Sequence, residues 1–343
     1  MSRPAAPDPP SPGPLEPGKE HPGPTPRGEP SVSPWAALVV AVVAISWAGP
    51  LVRLAEAPAL PMAAWRMVFS MALIAVVLAF RGSVLGGVRL SREEVGLALF
   101  AGVLLAGHFW SWIASIRYTT VASSAVLVSL QPFIIAVLSA TLLRERPDRW
   151  QWVAIAVAVA GAVVVGWGDF SLGPRALLGD ALAFLAAWLV SGYYLVGRVL
   201  RRRLDLWAYV AVVYGVAAAI LMAAALLSPG VPVTGFPVGD WLVFLALAAG
   251  PMMLGHTGVN YSIRYVPAYV ANLFILGEPV GATLIAWLLP AIREVPPVQT
   301  LWGGVLILVG IVLGSGAVQR LRPGGESLSA SPSGEGPGDR ADR

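Results

Sequence analysis

Cysteine is absent from the 343 residues, which excludes disulfides, thiolate metal sites, haem attachment and a cysteine nucleophile and leaves the redox compartment undetermined. Histidine stands at three positions, His21, His108 and His256. Zinc and histidine-triad chemistry therefore have very few candidate side chains, and no metal or other cofactor is expected. Charge is scarce as well: Asp, Glu, Lys and Arg make up 12% of the chain, about half the share in a soluble globular domain. The net charge is +4, but the arginines gather at the edges of apolar stretches, so no solvated basic surface is left to hold nucleic acid. Lipid headgroups are the expected counter-ions.

Apolar sequence fills the space that charge leaves. Hydrophobic residues reach 57% and the mean hydropathy is +0.72, which reads as an integral membrane protein. Ten apolar stretches lie at about 35–54, 62–81, 95–115, 120–143, 150–167, 178–198, 206–228, 240–261, 268–290 and 298–316. Each is near the roughly 20 residues that a helix needs to cross about 30 Å of hydrocarbon. The expected fold class is thus an all-α integral membrane protein of ten transmembrane helices.

The tails read differently. Residues 1–34 hold 12 of the 30 prolines, and residues 319–343 are rich in Gly, Ser and Pro, so both are expected to be disordered. No short apolar core with a small-residue cleavage site precedes residue 35, and the first span is expected to be retained.

Arginine sets the orientation. The breaks after spans two, four, six and eight hold eleven: Arg81, Arg89, Arg92, Arg144, Arg146, Arg149, Arg198, Arg201, Arg202, Arg203 and Arg264. The other breaks hold four, Arg53, Arg117, Arg175 and Arg293. The positive-inside rule then places the even breaks and both tails in the cytoplasm, with the chain in the cytoplasmic membrane. Trp35, Trp150, Trp152, Trp167, Trp207, Trp241 and Trp302 fall at span ends, where an amphipathic ring anchors. Trp47, Trp110, Trp112 and Trp188 lie deeper, as cavity lining or as core packing.

The chain also repeats itself. GHFWSWIASIRY, from residue 107, matches GHTGVNYSIRY, from residue 255, and at an offset of 147 Gln131 and Pro132 pair with Glu278 and Pro279. At an offset of 149 Glu145 pairs with Glu294 and Gly161 with Gly310, while Ser46 and Arg53 echo Ser191 and Arg198. The repeats cover residues 35–168 and 178–318, five spans each. Because five is odd, the second copy enters from the opposite side, with Arg117 outside and Arg264 inside. Two inverted five-helix repeats enclosing a midplane site mark secondary transporters.

The stretches GHFWSWIASIRYTTVASSAVLVSLQPFIIAVLSATLLRER and GHTGVNYSIRYVPAYVANLFILGEPVGATLIAW resemble the paired EamA domains of the drug/metabolite transporter superfamily over roughly residues 35–318. The resemblance implies a carrier of small metabolites, often an exporter, in the cytoplasmic membrane. The PAIREVPP turn is longer than the Gly-Glu turn of such sequences, which leaves Glu294 without a role.

Glu278 and Pro279 interrupt an apolar run in span nine. An ionised carboxylate at the bilayer centre costs at least about 2.5 kcal/mol, so it is expected to face the bundle interior, to be partnered, or to carry a proton. Gln131 keeps the hydrogen-bonding shape but cannot titrate, and that asymmetry points to proton coupling through Glu278. The competing reading is a static acid bonded to a neighbouring helix. Pro132 and Pro279 release backbone carbonyls at mid-membrane, either as a packing kink or as cavity lining.

His108 and His256 occupy equivalent places in spans three and eight and can meet substrate, relay a proton or cross-link helices. Trp112 and Asn260 stand four residues on, sharing their faces. The expected substrate site is therefore His108, Trp112, Gln131, His256, Asn260 and Glu278. Arg66 either snorkels to the headgroups or faces inward, where it would attract an anion. Asp180 reads as a helix N-terminal charge, and Gly310 and Gly314 as a close-packing GxxxG, first within the chain and second in a dimer.

An enzyme is the main alternative class. The chain has no HExxH and no paired acidic clusters, and Ser191 sits in LVSG where a membrane serine protease needs GxSG. A channel or lipid scramblase stays open as a reading. The expected partners are a small-molecule substrate and lipid, with the chain a monomer or homodimer.

Overall fold

A computed structural model of the chain describes residues 30–81, 90–119, 121–145, 147–166, 174–293 and 298–314. Most of both tails, together with Arg89, Arg146, Trp167 and Glu294, lies outside them. Among the described residues the regular structure is entirely helical.

The first half comprises α1 (Pro34–Ser46), α2 (Ala48–Leu54), α3 (Ala59–Arg81), α4 (Arg92–Tyr118), α5 (Val121–Val128), α6 (Gln131–Leu138) and α7 (Arg149–Gly166). The second comprises α8 (Pro174–Leu200), α9 (Leu206–Leu227), α10 (Val238–Leu247), α11 (Thr257–Ser262), α12 (Ala268–Ile275), α13 (Glu278–Leu288) and α14 (Val298–Gly314). Among the described residues, seven helical stretches are long and apolar enough to cross a membrane: Pro34–Leu54, Ala59–Arg81, Arg92–Tyr118, Leu177–Leu200, Leu206–Leu227, Val238–Ser262 and Ala268–Leu288. The three other expected spans are helical too, as α5 with α6, as α7 and as α14, but are interrupted or shorter.

Local sequence explains where these helices start and break. At the head of α4, Ser91 Oγ accepts from the Glu94 amide at 3.2 Å, while the Ser91 amide donates to Glu94 Oε2 at 2.9 Å; this capping box satisfies two otherwise orphaned donors. Asp205 caps α9 by accepting from the Trp207 amide at 2.9 Å. Pro132 and Pro279 each force a restart, because a proline ring fits the first turn of a helix but clashes inside one. Gln131 and Glu278 consequently become the first residues of α6 and α13. The breaks are closed by tight three-residue bonds, Leu130 N to Leu127 O at 3.2 Å and Leu276 N to Leu273 O at 3.2 Å.

A third proline, Pro251, lies in a π-helical stretch, Ala248–His256, that joins α10 to α11. With no N–H at that position the ordinary four-residue ladder fails, and the wider turn relieves the ring's clash.

Small residues draw the helices together. A Cβ on Gly161 of α7 would stand 2.6 Å from the Gly303 carbonyl oxygen of α14, and one on Gly310 would stand 2.6 Å from Ala158 Cβ. Gly310 and Gly314 thus serve packing inside the chain, with Gly314 seated against Leu273 and Ala154. Helix α4 packs on α8 and α9, α1 on the π-helical stretch and α11, and the broken helices meet where α6 packs on α12.

The surface is apolar where a soluble protein's is polar, while the core remains apolar and takes in a few polar side chains. Phe80 is 89% exposed and Leu227 82%, while Arg66, Ser111, Asn260 and Asn272 are buried. Apolar side chains facing outward and polar ones withdrawn inside are what hydrocarbon selects as solvent. Trp47, Trp110 and Trp188 join the exposed apolar surface, leaving Trp112 as the one deep tryptophan of the four in the interior.

The two ends of α4 carry different fastenings. At its start Glu94 pairs with Arg203 at 2.8 Å. Nearby, Arg198 binds Glu145 at 2.9 Å and donates to the carbonyls of Ile263 and Arg264 at 2.6 and 3.1 Å. At its far end Arg117 donates to the carbonyls of Ala55 and Ala57 at 3.0 and 2.8 Å. Arg117 and the Arg264 backbone therefore lie toward opposite ends of α4. Burial holds Arg201, in the turn after α8, down to about 10, which leaves it charged at neutral pH. Asp180 is not at a helix N-terminus: α8 begins at Pro174, and Asp180 accepts from the Thr119 hydroxyl at 2.9 Å.

Candidate functional site

Between the broken helices lies a small cavity, partly open at its mouth. His108, Trp112, Gln131, His256 and Glu278 line it. The sixth expected residue, Asn260, does not. It is fully buried one turn beyond His256, where its amide donates to the His256 carbonyl at 2.8 Å and to the hydroxyls of Tyr193 and Tyr214. That network fastens α11 to α8 and α9 and holds His256 from behind. Neither Pro132 nor Pro279 lines the cavity, but each acts on it through the residue four positions earlier. Val128 and Ile275 are both lining residues, and a proline deprives their carbonyls of the usual helical donor.

Each polar group has a distinct setting. His108 lies 3.0 Å from the Ala186 carbonyl through Nδ1; a carbonyl only accepts, so Nδ1 carries hydrogen and Nε2 of the neutral ring is an acceptor. His256 lies 3.0 Å from the Tyr194 hydroxyl through its own Nδ1, with the two rings stacked at 10°. The two imidazoles meet edge-on, at 6.0 Å between centroids and 60° between planes. Gln131 is buried, whereas Glu278 keeps partial exposure. Among the described residues no cation comes within ion-pair distance, 4.0 Å, of the Glu278 carboxylate. It stands at the start of α13, the positive end of that helix dipole.

Arg66 resolves the choice that its sequence position left open. Its side chain does not snorkel outward: it is 1% exposed and lines the same cavity. The guanidinium carbon sits 4.0 Å above the Phe109 ring, and Nη2 contacts Met252 Sδ at 3.8 Å. The site thus combines a cation, an acid with no salt bridge and two histidines behind apolar walls. Such a set can bind an ion or move a proton, while no activated nucleophile stands among the described residues that line it.

A family model described as the EamA-like transporter family matches residues 32–167 and again residues 177–316. The chain belongs to this family. YyaM of Bacillus subtilis, an uncharacterized transporter, is 22% identical over 263 residues, covering 75% of this chain and 84% of that one. The pseudopaline exporter CntI of Pseudomonas aeruginosa is 28% identical over 235 residues, covering 66% and 77%. An uncharacterized transporter of Archaeoglobus fulgidus is 26% identical over 230 residues, with the same coverage. One solved crystal structure shares the fold at a TM-score of 0.69 and 19% identity, covering 85% of this chain and 99% of that one.

This EamA-like chain is therefore a multi-pass membrane protein whose family and relatives are transporters rather than enzymes. Sequence reasoning missed several members of the transporter's cavity, two aromatic rings among them. Phe109, under Arg66, and Tyr194, stacked on His256, are aromatic residues in apolar helices, and nothing in a single sequence separates such residues from ordinary core.

Proposed function

We propose that this transporter is a proton-coupled secondary carrier that exports a small metabolite across the cytoplasmic membrane by alternating access. In this reading α5 with α6, α7 and α14 complete a ten-span bundle. It consists of two inverted five-helix repeats, residues 35–168 and 178–318, with both termini cytoplasmic. The opposite placement of Arg117 and Arg264 and the matched breaks ahead of Pro132 and Pro279 support it. Discontinuous helices meeting at a central site are how carriers of this type expose binding groups without exposing backbone to lipid.

One observation carries the proposal: Glu278 enters a cavity at the start of one broken helix, has no salt-bridge partner among the described residues, and is answered by Gln131 at the start of the other. A carboxyl group so placed can pick up a proton when the site faces one side and release it to the other, and Gln131 cannot. The Glu278→Gln variant is expected to fold and to bind substrate while losing the pH dependence of flux in proteoliposomes. A variant that keeps the parent pH profile refutes coupling through Glu278. Non-saturable ionic current in the same vesicles would instead identify a channel.

A further inference from the structure

Arg66 is a buried cation whose donors the described residues leave largely unused. It is buried on α3, and among the described residues no acid comes within 4.0 Å of it and its Nε and Nη1 have no hydrogen-bond partner. Buried donors in folded proteins are almost always paired, and an unpaired guanidinium is among the least tolerable of such groups. The Phe109 ring, 4.0 Å from the guanidinium carbon, occupies one face of the plane. It holds the cation in place without using any N–H, so the donors at the edge stay available. A planar guanidinium with free edge donors matches an oxyanion, which it binds through parallel, charge-assisted hydrogen bonds.

The rest of the cavity narrows the class. Arg66 is the one arginine or lysine among its lining residues, and Glu278 adds an acid. With Glu278 protonated, a single negative charge balances the guanidinium, while a doubly charged ligand would leave excess charge in a low-dielectric interior. Ile45, Val190 and Trp112 supply apolar wall beside the polar end, suited to the body of a small organic molecule.

We infer that Arg66 is the substrate-anchoring residue of this transporter and that its ligand is a small monocarboxylic acid, held by its carboxylate at the guanidinium with its apolar body against Phe109 and Trp112. The inference rests on the carrier reading for its transport consequence, whereas the binding site stands on the geometry of Arg66 alone.

The test uses the purified full-length chain in detergent at fixed ionic strength, with thermal unfolding followed by tryptophan fluorescence. Benzoate and butyrate serve as probes, benzamide and butyramide as neutral isosteres, and inorganic phosphate as the competing oxyanion. A ligand that binds only the folded protein raises its unfolding midpoint. The carboxylates are expected to raise it saturably, by about 2 °C or more, and the amides to leave it unchanged. Arg66→Gln should abolish the carboxylate effect. Arg66→Lys, which keeps the charge but loses the planar fork, should need about tenfold more ligand; it also decides the matter if Arg66→Gln does not fold. Equal stabilisation by the amides, a carboxylate effect that survives Arg66→Gln or is unchanged in Arg66→Lys, or no effect from either acid overturns the inference. A response to phosphate alone replaces the carboxylate with a phosphate ester. Benzoate that binds but does not enter proteoliposomes leaves the site standing and removes the carrier reading.

Discussion

The cluster around Glu145 permits a quantitative forecast. Its carboxylate binds Arg198 at 2.9 Å and Arg202 at 2.7 Å, but the environments differ: the Arg198 side chain is 4% exposed and that of Arg202 49%. Distance alone would rank Arg202 first. Solvent reverses the order, because water screens an exposed pair to about 0–1 kcal/mol, whereas breaking a buried pair leaves an uncompensated charge and costs about 3–5 kcal/mol. Two features lower the second figure here. Glu145 itself is 18% exposed, and Arg198 keeps its bonds to the carbonyls of Ile263 and Arg264. The expected cost of Glu145→Gln is then about 2–3 kcal/mol.

Two double-mutant cycles, Glu145→Gln with Arg198→Met and with Arg202→Met, separate the contributions. Both can be read by reversible unfolding in mixed detergent micelles. The coupling should be about 2 kcal/mol in the first cycle and below about 1 in the second. Equal couplings, or a larger one for Arg202, would refute the argument that burial outweighs distance at this site.

Other consequences follow from packing and from the fastening at the far end of α4. Gly310→Ala places a methyl against Ala158 and the Ala154 carbonyl and should cost about 1–3 kcal/mol in the same assay. Gly96→Ala meets nothing within 4 Å and should stabilise, by up to about 1 kcal/mol through helix propensity. Asp240 accepts from the amides of Glu56 and Ala57 at 3.1 and 3.0 Å; Asp240→Asn keeps one acceptor and should cost about 1–2 kcal/mol. A modification assay at a cysteine introduced at residue 56 should report faster labelling in that variant.

The membrane class, the helical stretches and the pairing of Gln131 with Glu278 followed from the sequence alone, because each depends on local chemistry. Twenty apolar residues need lipid or a core wherever they lie, and a proline breaks a helix whatever surrounds it. Five of the six expected site residues share one cavity for a related reason: polar groups are too costly in lipid to be placed at random, so an apolar background makes them conspicuous. Tertiary structure alone decided which way Arg66 turns, since snorkelling and inward burial draw on the same side chain and differ only in what α4 and the π-helical stretch present to it. Likewise, Asn260 shares a helix face with His256, yet tyrosines from α8 and α9 close over it and take it out of the cavity. Phe109 and Tyr194 became legible only once their neighbours were in place, because an aromatic ring acquires a specific role from what it touches.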